Sequence, residues 1–310
     1  MNSSNRAAVG AVIVAAAVIW QGIGTAVVGN TVAPELSTFT TFSAFLTAAI
    51  LANLIFFLRE TTVPIATKAG QWRANFRVVA ALNLFSAGAF CLFYISATMI
   101  QPTAASVIET GIGPLVVAII ASLASKRLTG SLIPAAIIVV LAFAFFFLGN
   151  DELSGMTLLG LALATAAGFS AVGVLYSSQS ASKRGLGVMS IAAIRFHLAW
   201  IISGLVAFMT MDAETVQAES LIPAVVLSAL CITFPILLLQ WGVILAPPFV
   251  SALILAILPA VVMGTEMAFG MRITAMQFTL LSVIVVITLG QAILSMRGNC
   301  ESKTQSASDK

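Results

Sequence analysis

The chain has 310 residues, of which 60% are hydrophobic and 8% are charged, with a net charge of +3 at neutral pH. Its mean hydropathy is +1.10. This composition excludes a soluble globular enzyme or a nucleic-acid-binding domain and is typical of an integral membrane protein. Three cysteines are too few for a disulfide framework, and a single histidine without a cysteine cluster does not favour a metal site. We therefore expect no metal and no cofactor.

Ten apolar runs are long enough to cross a membrane, which takes about 20 helical residues. In chain order they cover 7–28, 38–58, 76–97, 103–125, 132–149, 157–178, 188–211, 221–244, 248–269 and 276–296. The sequence thus predicts an all-α integral membrane protein with ten transmembrane helices. A polar hinge, which includes Asp151, Glu152 and Ser154, separates the fifth run from the sixth, and a polar cytoplasmic tail covers 297–310.

A framework of prolines and arginines occurs twice along the chain. Its members keep both residue type and spacing, and the two sets are Pro102, Ser106, Pro114, Arg127 and Thr129, then Pro247, Ser251, Pro259, Arg272 and Thr274. Such repetition indicates two related halves. We therefore divide the chain into a first five-helix repeat at 1–150 and a second one at 151–296.

Basic residues predict the orientation. With the N-terminus in the cytoplasm, 12 of the 14 lysines and arginines fall on the cytoplasmic side, as the positive-inside rule requires. We therefore expect a multi-pass protein of the cell inner membrane with both termini in the cytoplasm. Five spans per half then make the second half inverted relative to the first, and inverted repeats are typical of transporters whose site lies near the midplane.

The fourth span carries the leading site candidate, Glu109. An ionisable side chain in hydrocarbon normally faces a protein interior or a water-filled path. Pro114 has no N–H to donate, so the carbonyl of Thr110 loses its helical partner, and Ser106 lies on the same face one turn away. We predict that Glu109, Ser106 and Thr110 line a substrate or proton pathway and that Pro114 and Pro259 break their helices. The alternative for Glu109 is a protonated acid bonded to a neighbouring helix.

Arg195 and His197 lie in the seventh span. Arg195 could bind an anionic substrate group or pair with Glu109, although their depths differ by about 10 Å at 1.5 Å per residue. Its alternative role is to satisfy carbonyls of a broken helix. His197 could carry protons or be a hydrogen-bonded packing residue.

Three further residues complete the predicted pathway. Trp20 and Trp200 are too deep for interfacial anchors, so they line a cavity or pack in the interior. Gln21 is a polar candidate that could equally form a bond between spans. We expect Glu266, near the outer end of the ninth span, to reach toward the interface, and Gly160, Ala164 and Gly168 to form a helix-packing seam.

Several passages resemble the drug/metabolite transporter superfamily, and its EamA-type domain in particular. They are LFYISATMIQPTAASVIETGIGPLVVAIIASL at 92–123, AIRFHLAW at 193–200, and VIWQGIGTAVVGN at 18–30. The second is similar to the family's arginine–phenylalanine signature and the third to its tryptophan–glycine start of a half. The acid shortly before Gly113–Pro114 gives a weaker resemblance to threonine/homoserine-type exporters. The resemblance implies ten helices in two halves and secondary transport.

The chain departs from the family pattern at the ends of the fourth and ninth spans. Family members carry Gly–Glu and then a basic residue there, whereas this chain has Ser-Lys-Arg at 125–127 and Gly-Met-Arg at 270–272. The arginine of the second helix is present in one half only, because Phe42–Ser43 stands opposite Arg195. These departures do not support a symmetric coupling scheme with two acids.

The sequence predicts a secondary transporter, and not an enzyme, that exports small amino-acid-like or amphipathic metabolites in a proton-coupled alternating-access cycle. Its partners would be a small-molecule substrate, protons and the lipid bilayer, with no nucleic acid, and it would act as a monomer or homodimer. Uptake, or facilitated diffusion without proton coupling, is the first alternative. A membrane enzyme or assembly subunit that acts on lipid head groups through Glu109 and His197 is the second.

Overall fold

A computed structural model describes residues 3–59, 65–149, 153–211, 218–246 and 248–308. Within these ranges all regular structure is helical, and seven helices are long and apolar enough to cross a membrane. The chain is therefore an all-α membrane protein, as the composition predicts. Three shorter apolar helical segments, Leu132–Leu148, Leu253–Ala268 and Ala275–Gln291, lie where the fifth, ninth and tenth spans are expected.

Up to residue 149 the described helices are continuous through each apolar run. They are α1 (Ser3–Thr31), α2 (Ser37–Arg59), α3 (Ile65–Ala74), α4 (Phe76–Met99), α5 (Pro102–Ser125) and α6 (Leu132–Leu148). Helices suit these runs because a helix bonds its own backbone groups, which hydrocarbon cannot do. The short α3 connects α2 and α4, and a 3₁₀ turn at Pro34–Leu36 precedes α2.

After residue 153 the spans are more irregular. The helices are α7 (Gly155–Lys183), α8 (Val188–Ile194), α9 (His197–Thr210), α10 (Ala218–Ser228), α11 (Phe234–Leu245), α12 (Pro248–Leu255), α13 (Leu258–Ala268) and α14 (Ala275–Ser308). A π-helical turn, Ala229–Thr233, joins α10 to α11. Two-residue interruptions separate α8 from α9 and α12 from α13.

One expectation about helix ends is wrong. Helix α5 runs through Pro114 without interruption, so the loss of one backbone bond there does not break it. Pro259, by contrast, is at the start of α13, directly after an interruption. Helix α14 continues to Ser308, so the polar segment after 296 extends the last helix. The hinge residues Asp151 and Glu152 lie outside the described residues.

The first helix of each half packs mainly against the other half. Helix α1 contacts α11, α12 and α13, whereas α7 contacts α4 and α5. Glycines allow the helix axes to come close: a Cβ on Gly24 of α1 would lie 2.2 Å from the carbonyl oxygen of Cys231. Gly160, Ala164 and Gly168 of α7 are all buried, and a Cβ on either glycine would clash with α4 or α5. They form the expected packing seam.

An aromatic cluster fills the interior where α2, α4 and the α8–α9 junction meet. The ring centroid of Phe45 lies 5.5 Å from Phe90, 6.4 Å from Tyr94 and 5.8 Å from Phe196. Phe45, Tyr94 and Phe196 are fully buried. The cluster holds elements from both halves around one core, next to the residues considered below.

Two glycines with open space around their Cβ positions allow the orientation to be tested. Gly130 lies between α5 and α6 near the basic residues, and Gly155 begins α7 at the opposite end; a Cβ on either meets no atom within 4 Å. In a chain without its native cysteines, we expect G155C in intact cells to react with a membrane-impermeant maleimide. We expect G130C to react only after permeabilisation, because the basic end faces the cytoplasm.

The control is G264C, which lies on α13 with equal space around its Cβ. It should resist the charged reagent in both conditions, because a thiol in hydrocarbon does not ionise. Labelling of G130C but not G155C in intact cells would contradict the orientation.

Candidate functional site

Glu109 projects from the first half of α5 into the interior of the helix bundle. Its neighbours Ile108, Gly111 and Ile112 are buried, yet its own side chain is partly exposed. Within the described residues, no ion pair or hydrogen bond involves the Glu109 carboxylate. Gly168 of α7 packs on its backbone, since a Cβ there would lie 2.8 Å from the Glu109 carbonyl oxygen. The acid therefore lies where α5 contacts α7, and its side chain keeps partial exposure.

One member of a group of three buried polar side chains lies near this acid. Tyr94 of α4 interacts electrostatically with Glu109, and its phenol faces Gln21 and Thr25 of α1. The Tyr94 hydroxyl, Gln21 Oε1 and Thr25 Oγ1 nevertheless make no well-formed hydrogen bond in the described part of the chain. A buried polar atom without a partner costs about 1–3 kcal/mol. Such atoms also occur at Thr38, Thr40 and Ser86. This group is a candidate site because Tyr94 lies near Glu109.

The other polar residues of α5 differ in what they offer to this site. Ser106 is fully buried, and its Oγ has no partner among the described residues. The hydroxyl of Thr110 donates to the Ser106 carbonyl at 2.7 Å, so its proton is already used. Thr110 can instead present its own carbonyl, which Pro114 leaves without a helical donor.

A π-helical turn, which the sequence did not reveal, lies near the same group. It includes Cys231, and Pro235 follows it in the first turn of α11. Cys231 also interacts with Tyr94. π-Helical turns are frequent at functional sites. A proline inside an apolar run was the signal that could have revealed it.

Arg195 lies at the junction of α8 and α9 and is only 9% exposed. Its Nη1 donates to Gln240 Oε1 at 3.0 Å, and the guanidinium carbon lies 5.2 Å from the ring centroids of both Phe90 and Phe196. No ion pair with Glu109 is formed in the described residues. The guanidinium is thus held by one amide and two aromatic faces, an arrangement that stabilises a buried cation.

Two asparagines satisfy the backbone where α8 ends and α9 begins. Asn53 of α2 donates to the carbonyl of Ala193 at 2.9 Å, and Asn83 of α4 accepts from the N–H of Leu198 at 3.1 Å. One predicted role of Arg195 was to bond the free carbonyls of a broken helix. The helix is interrupted here, but Arg195 bonds to Gln240 and not to a carbonyl of the break. Asn53 and Asn83 satisfy the backbone there instead.

The remaining predicted pathway residues lie apart from Glu109 in their described contacts. His197 Nδ1 is 3.2 Å from the carbonyl oxygen of Ile194, and its ring lines a separate cleft between α4 and α9. Trp200 packs against the main core. Trp20 is 40% exposed and stacks on Phe234 at a centroid distance of 6.3 Å. The structure therefore brings Gln21 to Tyr94 but does not join His197 or Trp20 to that group.

Glu266 does not reach toward the interface, and that expectation is wrong. The side chain is fully buried, and Oε2 accepts from the backbone N–H of Thr103 at 3.0 Å and from the Thr103 hydroxyl. Thr103 lies in the first turn of α5, where the helix dipole favours a negative charge. The carboxylate therefore links α13 to the start of the helix that carries Glu109. The sequence did not reveal this contact because it joins distant residues.

The comparisons with known proteins show a shared fold but identify no activity. No protein-family model matches the chain, and no curated protein matches it. A protein solved by crystallography is similar, with 18% identity and a TM-score of 0.56, over 93% of this chain and 98% of that chain. At this identity the similarity shows a shared architecture alone.

The Glu266–Thr103 contact predicts a loss of stability on truncation. Glu266→Ala leaves two buried donors of Thr103 without an acceptor, at a cost of about 1–3 kcal/mol each. We expect a melting temperature several degrees lower in detergent, measured by size-exclusion chromatography after heating. Glu266→Gln, which keeps an acceptor, should lose less. Thr265→Ala is the control, because that hydroxyl bonds only within its own helix, and an equal loss there would contradict the role of Glu266.

Arg195 gives a second stability prediction. Arg195→Lys keeps the charge but loses the planar group that contacts Gln240 and two rings. We expect a clear decrease in melting temperature, and little change for the control Arg184→Lys at the exposed end of α7. A variant that melts like the wild type but binds substrate more weakly would show instead that Arg195 holds an anionic substrate group.

Proposed function

We propose that the protein is a secondary transporter and that Glu109 carries its coupling proton. The observation that carries this proposal is the partly exposed carboxylate, unpaired among the described residues, near Tyr94, which groups with Gln21 and Thr25 without a well-formed hydrogen bond. An ionisable side chain inside a membrane protein raises the free energy of the folded state, and such residues are usually functional. A carboxylate that alternately meets substrate and proton is sufficient for exchange of one for the other.

The reciprocal packing of α1 and α7 supports the proposed inverted halves. Each is the first helix of its half, and each packs against the helices that occupy the third and fourth places of the other half. Two copies of one unit related by a twofold axis would pack in this way. This relation, and three short apolar segments at expected positions, favour ten spans of the EamA type in the drug/metabolite transporter superfamily.

The proposed substrate is a small amino-acid-like or amphipathic metabolite, and the proposed direction is export. One carboxylate, a phenol, an amide and hydroxyls within one group suit a molecule with an amino group and few other polar atoms. The basic end of the bundle would face the cytoplasm of the cell inner membrane, with both termini on that side. Uptake is the alternative direction, and uncoupled diffusion is the alternative that the test below separates from this cycle.

The alternative of an enzyme acting on lipid head groups is less well supported. It would use Glu109 and His197 together, whereas His197 contacts Ile194 and lines a different cleft. General acid–base catalysis by this pair would need both groups within reach of the same atoms. We therefore propose transport in preference to catalysis.

Glu109→Gln tests the coupling role. The amide keeps the shape and one acceptor but cannot bind and release a proton. We expect wild-type proteoliposomes with a pH-sensitive dye inside to show proton movement when at least one of a panel of amino acids and small amines is added. Glu109→Gln should abolish that movement and also uphill accumulation of the same labelled compound, while exchange of labelled for unlabelled compound continues.

The matched control is Glu35→Gln, which removes an exposed acid from the 3₁₀ turn. It should behave like the wild type in both measurements. Concentrative transport by Glu109→Gln at the wild-type rate would exclude Glu109 as the coupling group. Exchange without proton movement in the wild type would identify a facilitator.

A further inference from the structure

A lateral cleft of about 430 Å³ opens between α4 and α9, apart from the Glu109 group. Its α4 wall contains Phe76, Val79, Ala80 and Asn83. These positions follow i, i+3, i+4 and i+7 spacing and therefore form one helical face. The facing wall has the same spacing, with His197 and Leu198 among its members. The cleft is thus an elongated groove about 10 Å long at 1.5 Å per residue.

The groove is apolar along most of its length and has polar groups at two depths. Deep in the groove, the bond from the Leu198 N–H to Asn83 ties the two walls together. His197 uses Nδ1 on the Ile194 carbonyl, so its Nε2 has no partner among the described residues. At the shallow end Trp72 lines the groove and donates to Ser190 at 2.7 Å. A tryptophan bonded in this way is typical of the membrane interface.

Two arginines flank the shallow end. Arg73 follows Trp72 in the last turn of α3, and Arg77 follows Phe76 in the first turn of α4; both are exposed. In the described part of the chain neither forms an ion pair or a hydrogen bond. Each basic side chain at the membrane surface attracts anionic lipid. Two exposed arginines beside the groove therefore favour an anionic head group over a neutral one.

We propose that this groove binds one anionic phospholipid. Its phosphate lies between Arg73 and Arg77 at the surface, and one acyl chain runs from there along Val79 to Leu198 at the deep end of the groove. The head-group charge matches the two arginines at the surface, and the apolar groove accommodates the upper part of one acyl chain. The bound lipid covers the α4–α9 contact between the halves, and the inference does not depend on the transport proposal.

Native mass spectrometry of the full chain from detergent tests the site with two probes, phosphatidylglycerol and phosphatidylcholine of equal chain length. We expect one phosphatidylglycerol per chain to survive collisional activation that removes phosphatidylcholine. The double variant R73Q/R77Q should lose the preference for phosphatidylglycerol about thirtyfold, the equivalent of about 2 kcal/mol at about 1 kcal/mol per arginine. Ala80→Trp, which fills the groove at an exposed position, should reduce retention of the lipid without any change in charge.

The control is K126Q/R127Q, which removes two exposed basic residues between α5 and α6. It should retain the preference and elute as a single species, as should the other variants, which separates lost binding from misfolding. Equal retention of the two lipids by the wild type would overturn the proposal. So would loss of preference in K126Q/R127Q equal to that in R73Q/R77Q, because the arginines beside the groove would then have no special role. Reduced binding in Ala80→Trp with an unchanged preference in R73Q/R77Q would identify an apolar ligand and also overturn it.

Discussion

Hydrocarbon offers no water to bond a free N–H or carbonyl, and this constraint explains most polar contacts in the protein. Where the α8–α9 span is interrupted, Asn53 and Asn83 supply the missing partners. Where α5 begins, Glu266 accepts from its first turn. Thr233 donates to the Ala44 carbonyl between α2 and the π-helical turn. Each of these contacts joins the two halves of the chain, so the requirement to satisfy the backbone also holds the halves together.

The same constraint distinguishes the candidate site from the rest of the interior. Most buried polar side chains described here have a partner, often a carbonyl one helical turn away. Unpaired buried atoms also occur at Thr38, Thr40, Ser86 and Ser106, but those of Gln21, Thr25 and Tyr94 form one group near an acid that has no cation among the described residues. A group of unpaired atoms lowers stability, and proteins retain such costs at functional sites. This contrast supports a ligand site more strongly than the acid does alone.

The two proposed halves differ in chemistry, although α1 and α7 have reciprocal packing contacts. Glu109 has Ile254 as its repeat counterpart, and Arg195 lies only in the second half. The first half supplies continuous spans, whereas the described spans of the second half contain both interruptions and the π-helical turn. In the proposed two-repeat arrangement the candidate site is therefore asymmetric. Irregular backbone is tolerated in membranes where it is buried in protein or lines a cavity.

The sequence predicted the class of fold and part of the site. Apolar run lengths suffice for the former, since a spanning helix has a fixed minimum length. Glu109 stood out because an acid in such a run is rare. Tyr94 did not, because a tyrosine in an apolar run is compatible with packing or function. The Glu266–Thr103 and Asn53–Ala193 contacts join residues far apart in the chain, and no local pattern encodes them.

The exchanged positions of α1 and α7 have a consequence for biosynthesis. Chains enter the membrane from the N-terminus, so α7 finds α4 and α5 already inserted and can pack as it emerges. The main neighbours of helix α1 are α11 and α13, which are synthesised near the end of the chain. The faces of α1 that pack closely at Gly10 and Gly24 therefore remain exposed to lipid until nearly the whole chain is synthesised. The first span to be inserted is among the last to be fully packed, and quality control of this protein would act on α1.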